Sequence, residues 1–158
     1  RINSEIGYSL DRAIALGLAL VSNISDRIDF TISSNSSYSV PVSSFNEALS
    51  ENYLFQLSRL KLRWILPYGF IFDTRLTHSF YKGLSEGYDQ SFALLDLSIG
   101  KKLFKNQRGE VTVSVRDLLD ENEAISRNIS ENYIEDSQKN VLGRYFMLSF
   151  RYDLRRMR

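Results

Sequence analysis

The amino-acid sequence predicts an all-β chain, an antiparallel up-and-down meander of about seven strands. Three observations predict it. Segment after segment alternates apolar and polar residues with period two, which is the spacing of a strand and not of a helix. Turn-forming residues separate these segments, at Ser25-Asp26, Pro67-Tyr68-Gly69 and Asn106 to Gly109. The last segment, Val141 to Leu154, alternates most cleanly. Phe146, Leu148, Phe150, Tyr152 and Leu154 share one face, and Tyr145, Met147, Ser149, Arg151 and Asp153 share the other.

In chain order, residues 1–10 read as a loop or the end of an upstream strand. Asp11 to Ile24 sets Ile14, Leu16, Leu18 and Leu20 against the small Ala15, Gly17 and Ala19. Ala and Leu also favour a helix, but Gly17 and the strict large–small alternation favour a strand. Arg27 to Val40 sets Ile28, Phe30 and Ile32 against Asp29, Thr31 and Ser33, and Pro41 to Glu51 reads as a polar connection. Asn52 to Leu66 carries Leu60, Leu62 and Trp64 against Arg59, Lys61 and Arg63. Phe70 to Lys82 carries Phe70, Phe72, Leu76 and Phe80 against Asp73, Arg75, Thr77 and Ser79. Gln90 to Leu103 places Leu95, Leu97 and Ile99 opposite Asp96, Ser98 and Gly100. Glu110 to Arg116 places three valines opposite Thr112 and Ser114. Residues 117–140 form a long polar connection, with a helical turn expected at Asp117 to Asp120 and a hairpin arm at Ala124 to Tyr133. Residues 141–154 form the closing strand.

The connections alternate in length. Tight turns fall at one end of such a meander, and the longer segments 41–51, 83–89 and 117–140 at the other. Transmembrane barrels sort their connections in this way, with short periplasmic turns and long external loops. The alternation itself fits two settings: a soluble sheet with one wet face, or a barrel wall with lipid outside and water inside.

Composition narrows the function classes. The chain has 158 residues and a formal net charge of +1, so bulk charge gives no reason to expect nucleic acid. There is no Cys, which excludes disulfides, thiolate metal sites and Cys nucleophiles. Ten Phe, nine Tyr and one Trp suit a boundary between apolar surface and water. No run of 18 apolar residues offers a transmembrane helix, an absence that does not bear on transmembrane strands. The chain starts at Arg1 without a signal peptide, as expected of a processed chain or a part of a longer one.

Three groups of residues carry a family resemblance: Val21 to Phe30; Ile99 to Glu110 running into Val115-Arg-Asp-Leu-Leu-Asp120; and Tyr133-Ile-Glu-Asp136 with Asn140 to Phe150. In order and spacing they resemble the C-terminal region of outer-membrane β-barrel proteins of the TonB-dependent-receptor type. The resemblance covers nearly the whole chain. It implies a segment of a transmembrane β-barrel in the bacterial cell outer membrane, serving solute uptake as part of a transporter or receptor. In that family a plug and further strands come first. An odd count of seven strands agrees, since single-chain bacterial barrels have even counts. Ile28, Phe30, Leu60, Leu62, Trp64, Phe70, Phe72, Phe146, Leu148 and Phe150 would then face lipid, and Arg59, Lys61, Arg63, Asp73 and Arg75 the lumen. Phe146, Leu148, Phe150 and Tyr152 resemble the signal read by the barrel-assembly machinery, although the chain ends on Arg155-Arg-Met-Arg158 and not on an aromatic residue. Partners would be membrane lipid, that machinery, and TonB-type energy coupling through the N-terminal part. Two alternatives stand beside this reading: a soluble antiparallel sheet that binds a ligand, and a complete eight-stranded barrel that uses residues 1–10 as its eighth strand.

No enzyme is expected, and no cofactor or metal. His78 is the single His and has no second His or Cys to build a site with. Asp117/Asp120 and Glu135/Asp136 read as solvated loop acids, without the spacing of a calcium loop. No Gly-x-Ser-x-Gly elbow or Gly-rich phosphate loop occurs. The cationic row Arg59, Lys61 and Arg63 suits either pairing to Asp73 or Asp96 on neighbouring strands or anionic solutes in a lumen.

Overall fold

The structure, a computed structural model, describes residues 9–44, 52–83, 89–121, 123–129, 134–140 and 142–154. Nine strands follow one another: β1 (Ser9–Ser25), β2 (Ile28–Ser43), β3 (Tyr53–Ile65), β4 (Phe70–Lys82), β5 (Gln90–Leu103), β6 (Gly109–Arg116), β7 (Glu123–Ile129), β8 (Ile134–Asn140) and β9 (Tyr145–Tyr152). Seven of them make one antiparallel sheet in the order β1-β2-β3-β4-β5-β6-β9, and β7 and β8 pair only with each other. The all-β meander expected from the alternation is what forms.

Four boundaries differ from the sequence reading. β2 continues through Pro41 to Ser43, because Pro41 pairs with Asp11 of β1. Pairing with β3 ends at Ser39, so β2 has a strand on only one side at Pro41, where the missing N–H is tolerated. The β1–β2 turn is Asp26-Arg27, with Ser25 Oγ accepting from the backbone N–H of Arg27 and Ile28, both at 3.2 Å. The hairpin arm runs from Glu123 to Asn140, longer than the alternation suggested. The last strand starts at Tyr145, after an extended segment that is held by side chains. Residues 1–8 lie outside the described part, and with them most of the segment that an eighth strand would need.

The β3–β4 connection has the backbone that a two-residue hairpin requires. Tyr68 (φ 62°) and Gly69 (φ 77°) are both left-handed, and the Phe70 N–H reaches back to the Pro67 carbonyl. This is the primed turn whose twist matches the flanking strands. Asn106 and Gln107, at φ 61° and 55°, are also left-handed, in the longer connection of residues 104–108 between β5 and β6, where the Gln107 N–H reaches the Phe104 carbonyl at 3.2 Å. Asp117 to Asp120 is a turn closed by Asp120 N–H on the Asp117 carbonyl at 3.1 Å, in place of the helical turn expected there.

Cross-strand register sorts the side chains onto two faces. On the first, Phe30 pairs with Leu62, Ile28 with Trp64, Trp64 with Phe72, Phe72 with Ile99, Ile99 with Val113, and Val113 with Leu148. No described element forms a second layer over this face. Among the described residues Ile71 alone is a buried hydrophobic, whereas Leu16, Leu18, Phe146 and Leu148 stand 66–74% exposed. The apolar stretch also slants. Tracing partners from Leu148 through Val113, Ile99, Phe72, Trp64 and Ile28 ends at Ser25 of β1. The apolar run of β1, Ile14 to Leu20, is centred about eight residues away, with the largest step between β1 and β2. Over six pairings this corresponds to a slant of about 40°, at about 3.3 Å per residue and 4.8 Å per strand. Strands in transmembrane barrels tilt by a similar angle.

Candidate functional site

The second face is concave and polar. A cavity on it is lined by Asp29, Thr31, Lys61, Arg63, Asp73, Arg75, Asp96, Thr112, Ser114, Arg116, Met147 and Ser149, among others. These residues come together because each has the parity opposite to its strand's apolar residues, and antiparallel register carries that parity across the sheet. Arg59, Lys61, Arg63, Asp73 and Arg75 all lie on this face. Ile28, Phe30, Leu60, Leu62, Trp64, Phe70, Phe72, Phe146, Leu148 and Phe150 all lie on the other, as does Tyr152.

Ion pairs run across the polar face. Arg63 meets Asp73 at 3.5 Å. Asp96 is the most heavily used carboxylate: it takes Arg116 at 2.6 Å, Arg75 at 3.9 Å and the backbone N–H of Asp117 at 3.1 Å. Its side chain is only 14% exposed, so these partners replace water that it has lost. Glu110 sits between Arg151 at 2.9 Å and Lys102 at 3.7 Å. Of the sequence-predicted cationic row, only Arg63 finds a carboxylate; among the described residues Arg59 and Lys61 form no ion pair. Lys61 lies directly opposite Arg75, a like-charge pair that is unfavourable in a sheet.

The acids of the long connection act as backbone acceptors. Asp117 is 2% exposed, and its Oδ1 accepts the Glu121 N–H at 3.2 Å. Asp120 Oδ1 accepts the Arg144 N–H at 2.9 Å, while Arg144 donates to the Leu118 carbonyl at 3.2 Å. Glu121 Oε2 accepts the Ala93 N–H at 3.0 Å, and the Leu118 N–H reaches the Leu95 carbonyl at 2.7 Å. β6 pairs only with the Leu97–Leu103 part of β5, so this segment satisfies β5 backbone groups beyond the end of β6. Among the described residues no cluster of metal-ligating side chains forms. His78 lies on the same face as Leu76 and Phe80, with Nε2 2.9 Å from Ser91 Oγ.

Two aromatic groups escaped the sequence reading. At the tight-turn end of the apolar face, the Phe104 ring meets Phe150 and Tyr152 edge-on, at centroid distances of 6.5 and 5.8 Å. Close by in the sheet, Lys101 Nζ lies 4.1 Å from the centre of the Phe70 ring. Such a group of aromatics and a Lys is what an interface between apolar surface and water selects. At the loop end of the polar face, Tyr81 lies between Phe55, tilted by 32° at a centroid distance of 4.8 Å, and Phe92, stacked at 6.3 Å. The signal for this second group was its parity: Phe55, Tyr81 and Phe92 alternate in step with Arg59, Arg75 and Asp96.

The sequence profile of the Outer membrane protein beta-barrel family matches residues 5–152. No curated protein and no solved structure matches the chain. A one-layer meander with an uncovered apolar face, a concave charged face and sorted connections agrees with that match, and it leaves the soluble-module alternative without support. The chain belongs to the outer membrane protein beta-barrel family, and its place is the bacterial outer membrane.

Proposed function

We propose that this chain is barrel wall in a transporter or receptor of the TonB-dependent type, which takes up solute across the outer membrane. The observation that carries the reading is the division of the sheet: an uncovered, slanting apolar face on one side, and a concave wall of charges on the other. In lipid the first face needs no second layer, because the hydrocarbon covers it. The second face keeps its arginines and carboxylates in water. Ile28, Phe30, Leu60, Leu62, Trp64, Phe70, Phe72, Phe146, Leu148 and Phe150 face lipid, and Arg59, Lys61, Arg63, Asp73 and Arg75 face the lumen. The tight turns lie in the periplasm, and the β7–β8 arm lies outside the cell. The role is non-enzymatic. The barrel-assembly machinery reads the last strand through Phe146, Leu148, Phe150 and Tyr152, and energy coupling comes through an N-terminal part.

A nutrient-depletion comparison tests this. Cells with and without the full-length gene are grown in a defined solute mixture, and the spent medium is read by mass spectrometry. The gene should remove at least one solute faster, and a protonophore should abolish the difference. Depletion that survives the protonophore would make this a passive pore, and equal depletion in both strains would remove the uptake role.

A further inference from the structure

We propose that the inner wall of β3–β5 holds a subsite for an amphipathic anion: a carboxylate, sulfonate or phosphate joined to an apolar, preferably aromatic, body. The site rests on the uptake reading above and narrows it to a substrate class.

Two features of one surface carry the proposal. The first is a surplus of positive charge. Arg59 and Lys61 have no ion pair among the described residues, and Lys61 lies opposite Arg75. Arg75 has only a distant share in Asp96, at 3.9 Å, because Arg116 holds that carboxylate at 2.6 Å. Like charges directly across a strand pair cost stability; an anion bridging Arg59, Lys61 and Arg75 turns that cost into attraction, and charge-assisted hydrogen bonds strengthen it. The cavity at Lys61 and Arg75 is open to receive it.

The second feature is apolar. Phe55, Tyr81 and Phe92 form an aromatic group on the same wall, toward the loop end. Leu57 shares the Phe92 row through Ser79, and Leu94 shares the Arg59 row through Thr77, so apolar side chains run from the rings down to the cations. An apolar patch is out of place on a wall that is otherwise charged, unless something apolar covers it. Phe55 and Arg59 are four residues apart on β3, about 13 Å along the strand. A ligand about 10 Å long would therefore set its anionic end on the cations and its ring among the aromatics.

The probe is 2-naphthoate, titrated calorimetrically into full-length protein in detergent micelles, with acetate and 2-naphthylmethanol as references. Naphthoate should bind at least about tenfold tighter than either reference. Arg59→Gln with Lys61→Gln should erase that preference over the alcohol, and Phe92→Ala should narrow the preference over acetate. Arg59→Lys with Lys61→Arg, which keeps both charges, should retain binding. Naphthoate binding no tighter than that of the alcohol, or unchanged in the double Gln variant, would overturn the site. If the double Gln variant fails to assemble and the charge-retaining variant assembles without binding naphthoate, the cations hold another part of the chain, and the proposal fails. Naphthoate binding without energised uptake in cells would sink the transport reading and leave the site standing. Energised uptake of other solutes without naphthoate binding would sink the site alone.

Discussion

At the scale of single residues, the polar face is governed by how many partners each carboxylate serves. Asp96 is nearly buried and has three donors, including two arginines. Asp73 has one, and that pair is about half exposed on both sides, at 52% and 42%. Removing the charge of Asp96 strands Arg116 and an N–H; removing that of Asp73 leaves Arg63 in water. Asp96→Asn should therefore lower unfolding free energy by about 2 kcal/mol, and Asp73→Asn by less than about 1 kcal/mol. Denaturant unfolding of the full-length protein in micelles checks the order. Equal losses would mean that water reaches Asp96 as freely as Asp73.

At the scale of elements, the turns and the arm carry different loads. Gly69 sits at φ 77°, and a Cβ there would come within 3.2 Å of Lys102 Cβ. Gly69→Ala should cost about 1–2 kcal/mol for the left-handed backbone alone, read as a lower denaturant midpoint. Gly109 is constrained differently: a Cβ there would collide with the Phe104 ring that lies over it. The β7–β8 arm pairs only with itself, and its neck is closed by Asp120 and Arg144. Replacing residues 123–140 by a short Gly/Ser link should leave the unfolding midpoint of the seven-stranded sheet nearly unchanged. Asp120→Ala in the intact chain should expose the neck to protease. A large loss of stability on removing the arm would show that it braces the sheet.

At the scale of the whole molecule, the question is which face meets lipid. Leu148 and Ser149 are sequence neighbours on opposite faces of the last strand. Leu148→Arg, near the middle of the apolar stretch, should destabilise the protein in lipid vesicles by about 2–4 kcal/mol, and Ser149→Arg by much less. Similar effects from the two would remove the assignment of faces. The slant predicts a further pattern on β1: Arg should cost most near Leu16 and Leu18, and less toward Ser25, although Ser25 lies in the same cross-strand row as Leu148.

Much of this was legible in the sequence because period two is a local property. Alternation at Phe70 to Lys82 and Gln90 to Leu103 set both the strands and their two faces, and turn residues located the tight hairpins. Parity put Arg59, Lys61 and Arg63 on one side without knowledge of any neighbour. What alternation cannot contain is which residue stands opposite which. Only register decided that Asp96 serves two arginines, that Lys61 faces Arg75, and that Phe55, Tyr81 and Phe92 meet. Backbone accounting at the end of β6 decided that Asp117, Asp120 and Glu121 build a turn. The sequence by itself determined a meander with an apolar and a polar face, because side-chain direction follows from strand geometry alone. The tertiary structure decided where charge is left over on the polar face, because that depends on pairing between strands distant in sequence.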